Sequence, residues 1–238
     1  MIDIYFANKA ELKSLNSALL LQELPTSLRS EGNQISSEDR KTDWLLGRVL
    51  LFKVYRECLN LADNSLELFK SEHGKPYFKN TFPFNLSHSK NFVGLAVLKE
   101  TTGLIGLDLQ EPQKGQSFDS IGKRYFTSTE NKMLSNLPTD LQSNFFYKTW
   151  TFKEAYSKAR GRGLHKELNQ ISQKNLSKDP SWKIFSFKLD GVYGNLVAHS
   201  NEEIFSSNIQ SYTWDLDSNS FIAQPMKFEI FEDCKDEG

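Results

Sequence analysis

The distribution of apolar and polar residues predicts helices and strands that follow one another in two rounds. In the first round, apolar side chains recur at helical spacing over residues 39–61, which predicts a long helix. Short apolar runs on either side of a polar turn at residues 87–91 predict strands. The strands predicted in this part are residues 2–6, 82–86, 92–98 and 104–109.

The second round has predicted helices at residues 118–125 and 144–160. Between them, Thr127 followed three residues later by Glu130 resembles a capping box at a helix start. The strands predicted after these helices are residues 184–189, 193–199, 211–216 and 227–231. Because a helix followed by strands occurs twice, with a join near residues 101–103, we predict an α+β fold of two similar α/β subdomains, residues 1–103 and 104–238.

The composition restricts the classes of protein to which this chain can belong. With 238 residues and 18 phenylalanines, the chain is long and apolar enough to bury a core without disulfides. Its net charge of −1 argues against nonspecific nucleic-acid binding, which needs a basic surface. It has two cysteines, no signal peptide and no apolar run of about 20 residues, so we expect a cytoplasmic monomer without a membrane partner.

An acid and a lysine lie in line with aromatic residues on the predicted helix at residues 144–160. Trp150, Glu154 and Lys158 follow one another at four-residue spacing and therefore share one face. A surface ion pair worth about 0.2–0.5 kcal/mol is the ordinary interpretation of Glu154 and Lys158. The aromatic flank and the glycine loop that follows weaken that interpretation. The glycines at 161 and 163 indicate either a helix C-cap or a backbone that can approach an anion.

A second acid, Asp108, follows an apolar strand and a glycine. A carboxylate at a strand end suits a magnesium ion, because hard cations prefer oxygen ligands. A turn-forming aspartate is the alternative. Since Asp108 and Glu154 are 46 positions apart, the sequence alone does not bring them together.

The turn between two predicted strands carries Ser87, His88 and Ser89. We exclude a Ser–His nucleophile there, because adjacent residues point apart and no third group is identifiable. A structural histidine and a phosphate-binding turn are the two interpretations left. The cations upstream are Arg40, Arg48 and Lys75. Each of these, taken alone, is typical of a solvated surface.

Taken in order, these motifs resemble those of the 4′-phosphopantetheinyl transferases of the Sfp/EntD type. The matching positions are Arg40 to Arg48, Gly74-Lys75-Pro76, Asn85 to Ser89, Gly106-Leu107-Asp108, Arg124 to Glu130, and Trp150, Lys153, Glu154, Ala155, Lys158, Gly161, Gly163 and Leu164. Order and spacing agree together over this part of the chain, which makes the resemblance specific.

The resemblance implies two α/β halves in a pseudo-twofold arrangement, with coenzyme A in the cleft between them. It implies transfer of the 4′-phosphopantetheine arm of coenzyme A to a serine of an apo acyl or peptidyl carrier protein, with adenosine 3′,5′-bisphosphate as the other product. By the same resemblance, Asp108 and Glu154 hold Mg²⁺, Glu154 is the candidate base, and Lys158 contacts the pyrophosphate. The residues expected to bind coenzyme A are Arg40, Arg48, Lys75, Pro76, Ser87, His88 and Lys158.

One position departs from the family pattern. Many members carry a second carboxylate two residues after the aspartate, whereas this chain has Gln110. An amide oxygen can ligate Mg²⁺ more weakly, so Gln110 is the expected third metal ligand, with a water as its alternative. Glu111 should point to the opposite face if the strand continues.

Two other functions are compatible with these residues. The departure at Gln110 allows a binding module for coenzyme A or a carrier protein that has lost catalysis. A different Mg²⁺-dependent phosphoryl transferase is the second alternative, and it would not use coenzyme A. Transfer to an apo carrier protein in the presence of Mg²⁺ would support the phosphopantetheinyl transferase, and coenzyme A binding without transfer would support the binding module.

Overall fold

Two facing sheets and the helices outside them form the part of the chain that the computed structural model describes, residues 1–12, 17–61, 66–163 and 166–230. The helices are α1 Lys9–Leu12, α2 Ser17–Gln22, α3 Thr26–Asn33, α4 Glu38–Lys53, α5 Phe118–Tyr125, α6 Ser128–Asn136, α7 Thr139–Arg160 and α8 Gln173–Leu176. The strands are β1 Ile2–Asn8, β2 Leu68–Lys70, β3 Pro76–Phe78, β4 Phe84–His88, β5 Phe92–Leu98, β6 Leu104–Gln110, β7 Trp182–Leu189, β8 Val192–His199, β9 Ile209–Asp215, β10 Ser220–Ala223 and β11 Glu229–Ile230.

The strand order is β10-β9-β1-β5-β4 in the first sheet and β11-β7-β8-β6 in the second, and β2 and β3 form a separate ribbon. Neighbouring strands are antiparallel, except that β1 and β9 run parallel. The sheets pack face to face, with residues such as Ile4, Phe6 and Leu107 between them. The outer face of the first sheet is covered by α4 and that of the second by α7. Four layers result, so β1 and β5 are buried on both faces.

The mixed α+β fold is confirmed, and the first sheet draws on both ends of the chain. Strand β9 pairs with β1 from Ile2 opposite Ile209 to Phe6 opposite Thr213. Strands β9 and β10 therefore complete a sheet whose other members lie before residue 103. The proposed division at residue 103 stays a prediction, as does the pseudo-twofold relation between the halves. This strand pairing crosses the division.

The long predicted helices are present, with different ends. Helix α4 begins after Ser37, whose side chain accepts a hydrogen bond from the N–H of Arg40, and it gives way to a π-helical turn at Val54–Cys58. Helix α7 begins five residues before the predicted start, directly after Pro138, which cannot continue a helix on its N-terminal side. Helices α1, α2, α3 and α8 were not predicted. Across the described residues, no helix is both long and apolar enough to cross a lipid bilayer.

Candidate active site

The two sheets meet where β4 and β6, each an edge strand, run close together. Asn85 Oδ1 accepts a hydrogen bond of 2.8 Å from the backbone N–H of Leu107. Two residues further along each strand, Ser87 Oγ accepts one of 3.1 Å from the N–H of Leu109. Because alternate residues of a strand point to the same side, both β4 side chains reach the same edge of β6. They supply partners for buried N–H groups that have no neighbouring strand.

Helix α7 lies directly against β6 at Gly106. A Cβ atom on this residue would be 1.9 Å from the carbonyl oxygen of Ala155 and 2.5 Å from the backbone nitrogen of Ala159. Both alanines are fully buried, so their small side chains complete the close approach. The glycine and the two alanines therefore set the distance between the strand that carries Asp108 and the helix that carries Glu154 and Lys158.

Asp108 is the centre of a small polar cluster. Its side chain is 3 % exposed, and its Oδ1 lies 2.6 Å from Lys158 Nζ. Lys158 Nζ also donates to Ser87 Oγ at 3.0 Å, and the Ser87 hydroxyl lies 3.4 Å from the same Asp108 oxygen. A strand residue, a helix residue and a residue of the opposite sheet are thus brought within hydrogen-bonding distance of one another.

Glu154 adjoins this cluster on α7, one helical turn before Lys158. Burial, and after it the negative charge of Asp108, raise the pKa of Glu154 to about 7, although the positive charge of Lys158 opposes both effects. Burial is the larger of these causes, and the contribution of Asp108 means that each carboxylate disfavours the ionisation of the other. A cation between them would relieve this repulsion.

Gln110 completes the environment of Asp108. Its Nε2 donates to Asp108 Oδ2 at 3.2 Å, so both oxygens of that carboxylate have partners. Glu111 instead accepts hydrogen bonds from the Ser89 hydroxyl at 2.9 Å and from the Asn91 backbone N–H at 2.8 Å. Glu111 therefore binds the turn between β4 and β5, and because β6 ends at Gln110, the expected opposite orientation of Glu111 stays a prediction.

The donor set fits a hard divalent cation. Asp108 and Glu154 offer carboxylate oxygens, and a half-turn of the Gln110 side-chain amide would present its oxygen. Within the described ranges, no three His, Cys, Asp or Glu side chains are placed to hold a metal. The side-chain amide of Gln110, which is neutral, lies beside Asp108. The assignment of Asp108, Gln110 and Glu154 as metal ligands stays a prediction.

Five of the residues expected to bind coenzyme A line one cavity beside this cluster. The cavity measures about 300 Å³, and its lining includes Arg40, Arg48, Pro76, Ser87 and His88. Arg48 lies over the Trp44 ring at 5.5 Å, and burial lowers the pKa of its guanidinium. Its Nε is buried with no hydrogen-bond partner among the described residues, so a donor remains available at this wall.

Lys75 lies elsewhere. Its Nζ donates to the carbonyl oxygens of Ile105 at 3.0 Å and of Ala159 at 3.2 Å. Burial lowers the pKa of Lys75 to about 8. The ammonium therefore connects the start of β6 with the end of α7, and it is not among the residues that line the 300 Å³ cavity. Its expected role in binding coenzyme A stays a prediction.

Two further residues near these cavities, Lys9 and Asp43, were not predicted from the sequence. Asp43 on α4 lies between Lys9 and His88, with Lys9 Nζ at 2.5 Å and His88 Nδ1 at 3.7 Å from its carboxylate oxygens. Asp43 and His88 line both the 300 Å³ cavity and a neighbouring one of about 840 Å³ that also contains Gln110. The sequence contained a signal for Asp43. It follows Arg40 by three residues and precedes Gly47 by four, so the three residues share one face of α4.

The remaining positions of the long helix motif have structural roles. Lys153 is fully buried, and its Nζ contacts Glu130 Oε2 at 2.7 Å and the carbonyl oxygens of Leu168 and Ile171. Glu130 also accepts from the N–H of Thr127, which confirms the predicted capping box. Gly161 ends α7 in the left-handed conformation at φ 67°, as a C-cap requires. Leu164 lies outside the described residues.

Family models match both parts of the chain. Residues 104–205 match the model described as 4′-phosphopantetheinyl transferase superfamily. Residues 9–100 match the model described as 4′-phosphopantetheinyl transferase, N-terminal. The two matches together include every residue named above in the polar cluster and in the 300 Å³ cavity.

Individual proteins show the same similarity. The chain is 29 % identical over 185 residues to the 4′-phosphopantetheinyl transferase HetI of Nostoc, a match that covers 71 % of this chain and 77 % of HetI. It is 30 % identical over 177 residues to the human L-aminoadipate-semialdehyde dehydrogenase-phosphopantetheinyl transferase, covering 67 % of this chain and 56 % of that protein. It is 34 % identical over 130 residues to the 4′-phosphopantetheinyl transferase Sfp of Bacillus subtilis, covering 54 % and 56 %. The match thus spans little more than half the length of the last two relatives.

Proposed function

Since this chain belongs to the 4′-phosphopantetheinyl transferase superfamily, we propose that it transfers the 4′-phosphopantetheine arm of coenzyme A to a serine of an apo acyl or peptidyl carrier protein. One arrangement supports this most directly. Asp108 of β6 lies beside Glu154 and Lys158 of α7, and next to a cavity lined by arginine and histidine. Two acids, a lysine and a cationic cavity suit a reaction at a pyrophosphate.

The reaction forms a bond between the serine oxygen and the β-phosphorus of coenzyme A, and it breaks the bond from that phosphorus to the bridging oxygen. The electron pair leaves with adenosine 3′,5′-bisphosphate. Glu154 accepts the serine proton, directly or through a water. Lys158, whose Nζ is 2.6 Å from Asp108, would neutralise charge on the leaving phosphate. Mg²⁺ held by Asp108, Glu154 and Gln110 would supply further neutralisation of the pyrophosphate.

The cavity beside the cluster is the proposed site for the adenosine and phosphate part of coenzyme A. Arg40 and Arg48 approach from α4, and Ser87 and His88 approach from β4. Arginine suits this purpose because its planar guanidinium binds phosphate through two hydrogen bonds. Pro76 contributes an apolar part of the lining. Lys75 would act less directly, because two of its three N–H groups already bind carbonyl oxygens.

A carrier-modification assay tests the proposal. The purified chain is incubated with coenzyme A, Mg²⁺ and an apo acyl carrier protein, and the carrier is weighed by mass spectrometry. A mass gain of one phosphopantetheine on the carrier serine supports the enzyme. Binding of coenzyme A without transfer would support the non-catalytic binding module instead. Failure to bind coenzyme A would support the remaining alternative, a different Mg²⁺-dependent phosphoryl transferase.

The role of Glu154 is tested in the same assay. We expect Glu154→Gln to lower the transfer rate by at least about 100-fold, the effect of losing a general base, with coenzyme A binding largely retained. Asp119→Asn is the matched control, because it removes one acidic charge from an exposed ion pair with Lys123. Near-normal turnover by Glu154→Gln would refute the assignment.

A further inference from the structure

An unassigned ion-pair chain lies at the boundary of the two cavities. Lys9 Nζ is 2.5 Å from Asp43 Oδ1, and His88 Nδ1 is 3.7 Å from Asp43 Oδ2. The side chain of Lys9 is 6 % exposed, that of Asp43 30 % and that of His88 63 %. A buried lysine thus holds a partly buried carboxylate, and the carboxylate faces the histidine that reaches solvent.

The backbone around His88 is fastened from two directions. Lys9 donates to the carbonyl oxygen of Ser89 through Nζ and to that of Asn91 through its backbone N–H. Glu111 accepts hydrogen bonds from Ser89 and Asn91 on the other side of the turn. The backbone that carries His88 is therefore fixed, and the remaining freedom is the rotation of the imidazole ring about its side-chain bonds.

We propose that Asp43 is a positioning residue that holds His88 by its Nδ1–H, so that Nε2 is presented to a phosphate group of coenzyme A. This inference rests on the proposed function. A carboxylate that binds one ring nitrogen fixes both the orientation and the tautomer of a histidine. The separation of 3.7 Å shortens to a hydrogen bond when an anion binds Nε2, because the ring then carries a proton on both nitrogens. Lys9 keeps the Asp43 carboxylate in place.

The charges around His88 agree with this arrangement. Burial lowers the pKa of His88, and Lys9 and Lys158 lower it further, whereas Asp43 and Asp108 raise it. Asp43 is the larger of the two acidic contributions. The negative charge of Asp43 would by itself repel a phosphate group bound nearby. The presence of Asp43 at this position is therefore explained by the two side chains that it holds, Lys9 and His88.

The variant Asp43→Asn tests the inference, with Glu38→Gln as the matched control. Glu38 lies on the same helix, loses the same charge, is exposed and lines neither cavity. For each variant, kcat and KM for coenzyme A are measured at a saturating concentration of carrier protein. Binding of coenzyme A and of 3′-dephospho-coenzyme A is measured by calorimetry. The protonation of His88 is followed by ¹⁵N NMR. The two ligands show which phosphate His88 contacts.

In Asp43→Asn we expect KM and Kd for coenzyme A to rise about three- to tenfold, the range for one net hydrogen bond, while kcat changes less than about twofold. The ¹⁵N spectrum should show a lower pKa for His88 than in the wild type and loss of the Nδ1–H tautomer. Glu38→Gln should leave both unchanged. Asp43→Asn leaves Lys9 without its carboxylate partner. Thermal unfolding of Asp43→Asn is therefore compared with that of the double variant Lys9→Met/Asp43→Asn, which shows any effect of the unpaired lysine on folding.

Two results would overturn the inference. One is an unchanged KM together with an unchanged His88 spectrum in Asp43→Asn. The other is a fall in kcat with KM unchanged, which would place Asp43 in the chemical step. Absence of transfer by the wild type would refute the proposed function alone, because ligand binding and the His88 spectrum would still decide the role of Asp43.

Discussion

Replacing Gly106 by alanine is the sharpest test of how the strand and the helix are held together. The added Cβ would lie 1.9 Å from the Ala155 oxygen, and ordinary contact begins at 3.4 Å. Helix α7 would therefore have to retreat from β6 by about 1.5 Å at this point, the difference between those two distances. The obstructing atoms belong to the helix backbone, so no side-chain rotation relieves the overlap.

The displacement has consequences for both stability and activity. Overpacking of this kind costs about 1–3 kcal/mol, which corresponds to a fall in Tm of roughly 2–12 °C for a chain of this size. Glu154 and Lys158 move with the helix and away from Asp108. Because a misplacement of 1 Å can cost about 100-fold in rate, we expect the transfer rate of Gly106→Ala to fall by that factor or more.

Gly47→Ala is the matched control for stability. Its Cβ would meet Leu86 Cδ1 at 3.7 Å, an ordinary contact, in the interior of helix α4. Alanine is the better helix former, so this variant should be more stable than the wild type by up to about 1 kcal/mol. Both variants are compared by thermal denaturation followed by circular dichroism, and Gly106→Ala also by carrier modification. A Gly106→Ala protein with wild-type Tm and wild-type transfer rate would refute the close contact between β6 and α7.

Three further predictions concern the same junction. Gln110→Glu should lower the Kd for Mg²⁺ about tenfold in calorimetry without coenzyme A, because a charged ligand replaces a neutral one. Glu111→Gln is the control. Equal Mg²⁺ affinities of Gln110→Glu and the wild type would exclude Gln110 as a ligand. Lys75 has its pKa lowered by burial to about 8 from the usual 10.5. Between pH 8 and 10.5 the unfolded chain therefore binds more protons than the folded chain. The unfolding free energy of the wild type should rise with pH over this window relative to that of Lys75→Met. A difference between the two proteins that stays constant with pH would contradict the lowered pKa of Lys75. Asn85→Ala should lose about 1–3 kcal/mol in urea denaturation, because the buried N–H of Leu107 loses its acceptor, whereas a loss below about 0.5 kcal/mol would show that water replaces the side chain.

Local patterns identified most of the elements that surround the site. The capping box at Thr127 and the glycine after α7 depend on neighbouring residues, so a short stretch of sequence is enough to predict them. The polar turn before β5 was predicted to begin two residues too early, because Ser87 and His88 still belong to β4. Helical spacing singled out Glu154 and Lys158, the strand end singled out Asp108, and the family motifs implied their roles. The starts and ends of helices were predicted less well. Pro138 moved the start of α7 upstream, and a π-helical turn shortened α4.

The sequence by itself determined which residue types the site contains and where the main helices and strands lie, because periodicity, capping and turn chemistry act over a few residues. Only the tertiary structure decided what those residues contact. It placed Asp108 beside Lys158, gave Lys75 two backbone carbonyls, and brought Asp43 to His88. It also paired β9 with β1 across almost the whole chain. These contacts join positions separated by tens to hundreds of residues, and they result from packing two sheets and two helices around shared cores.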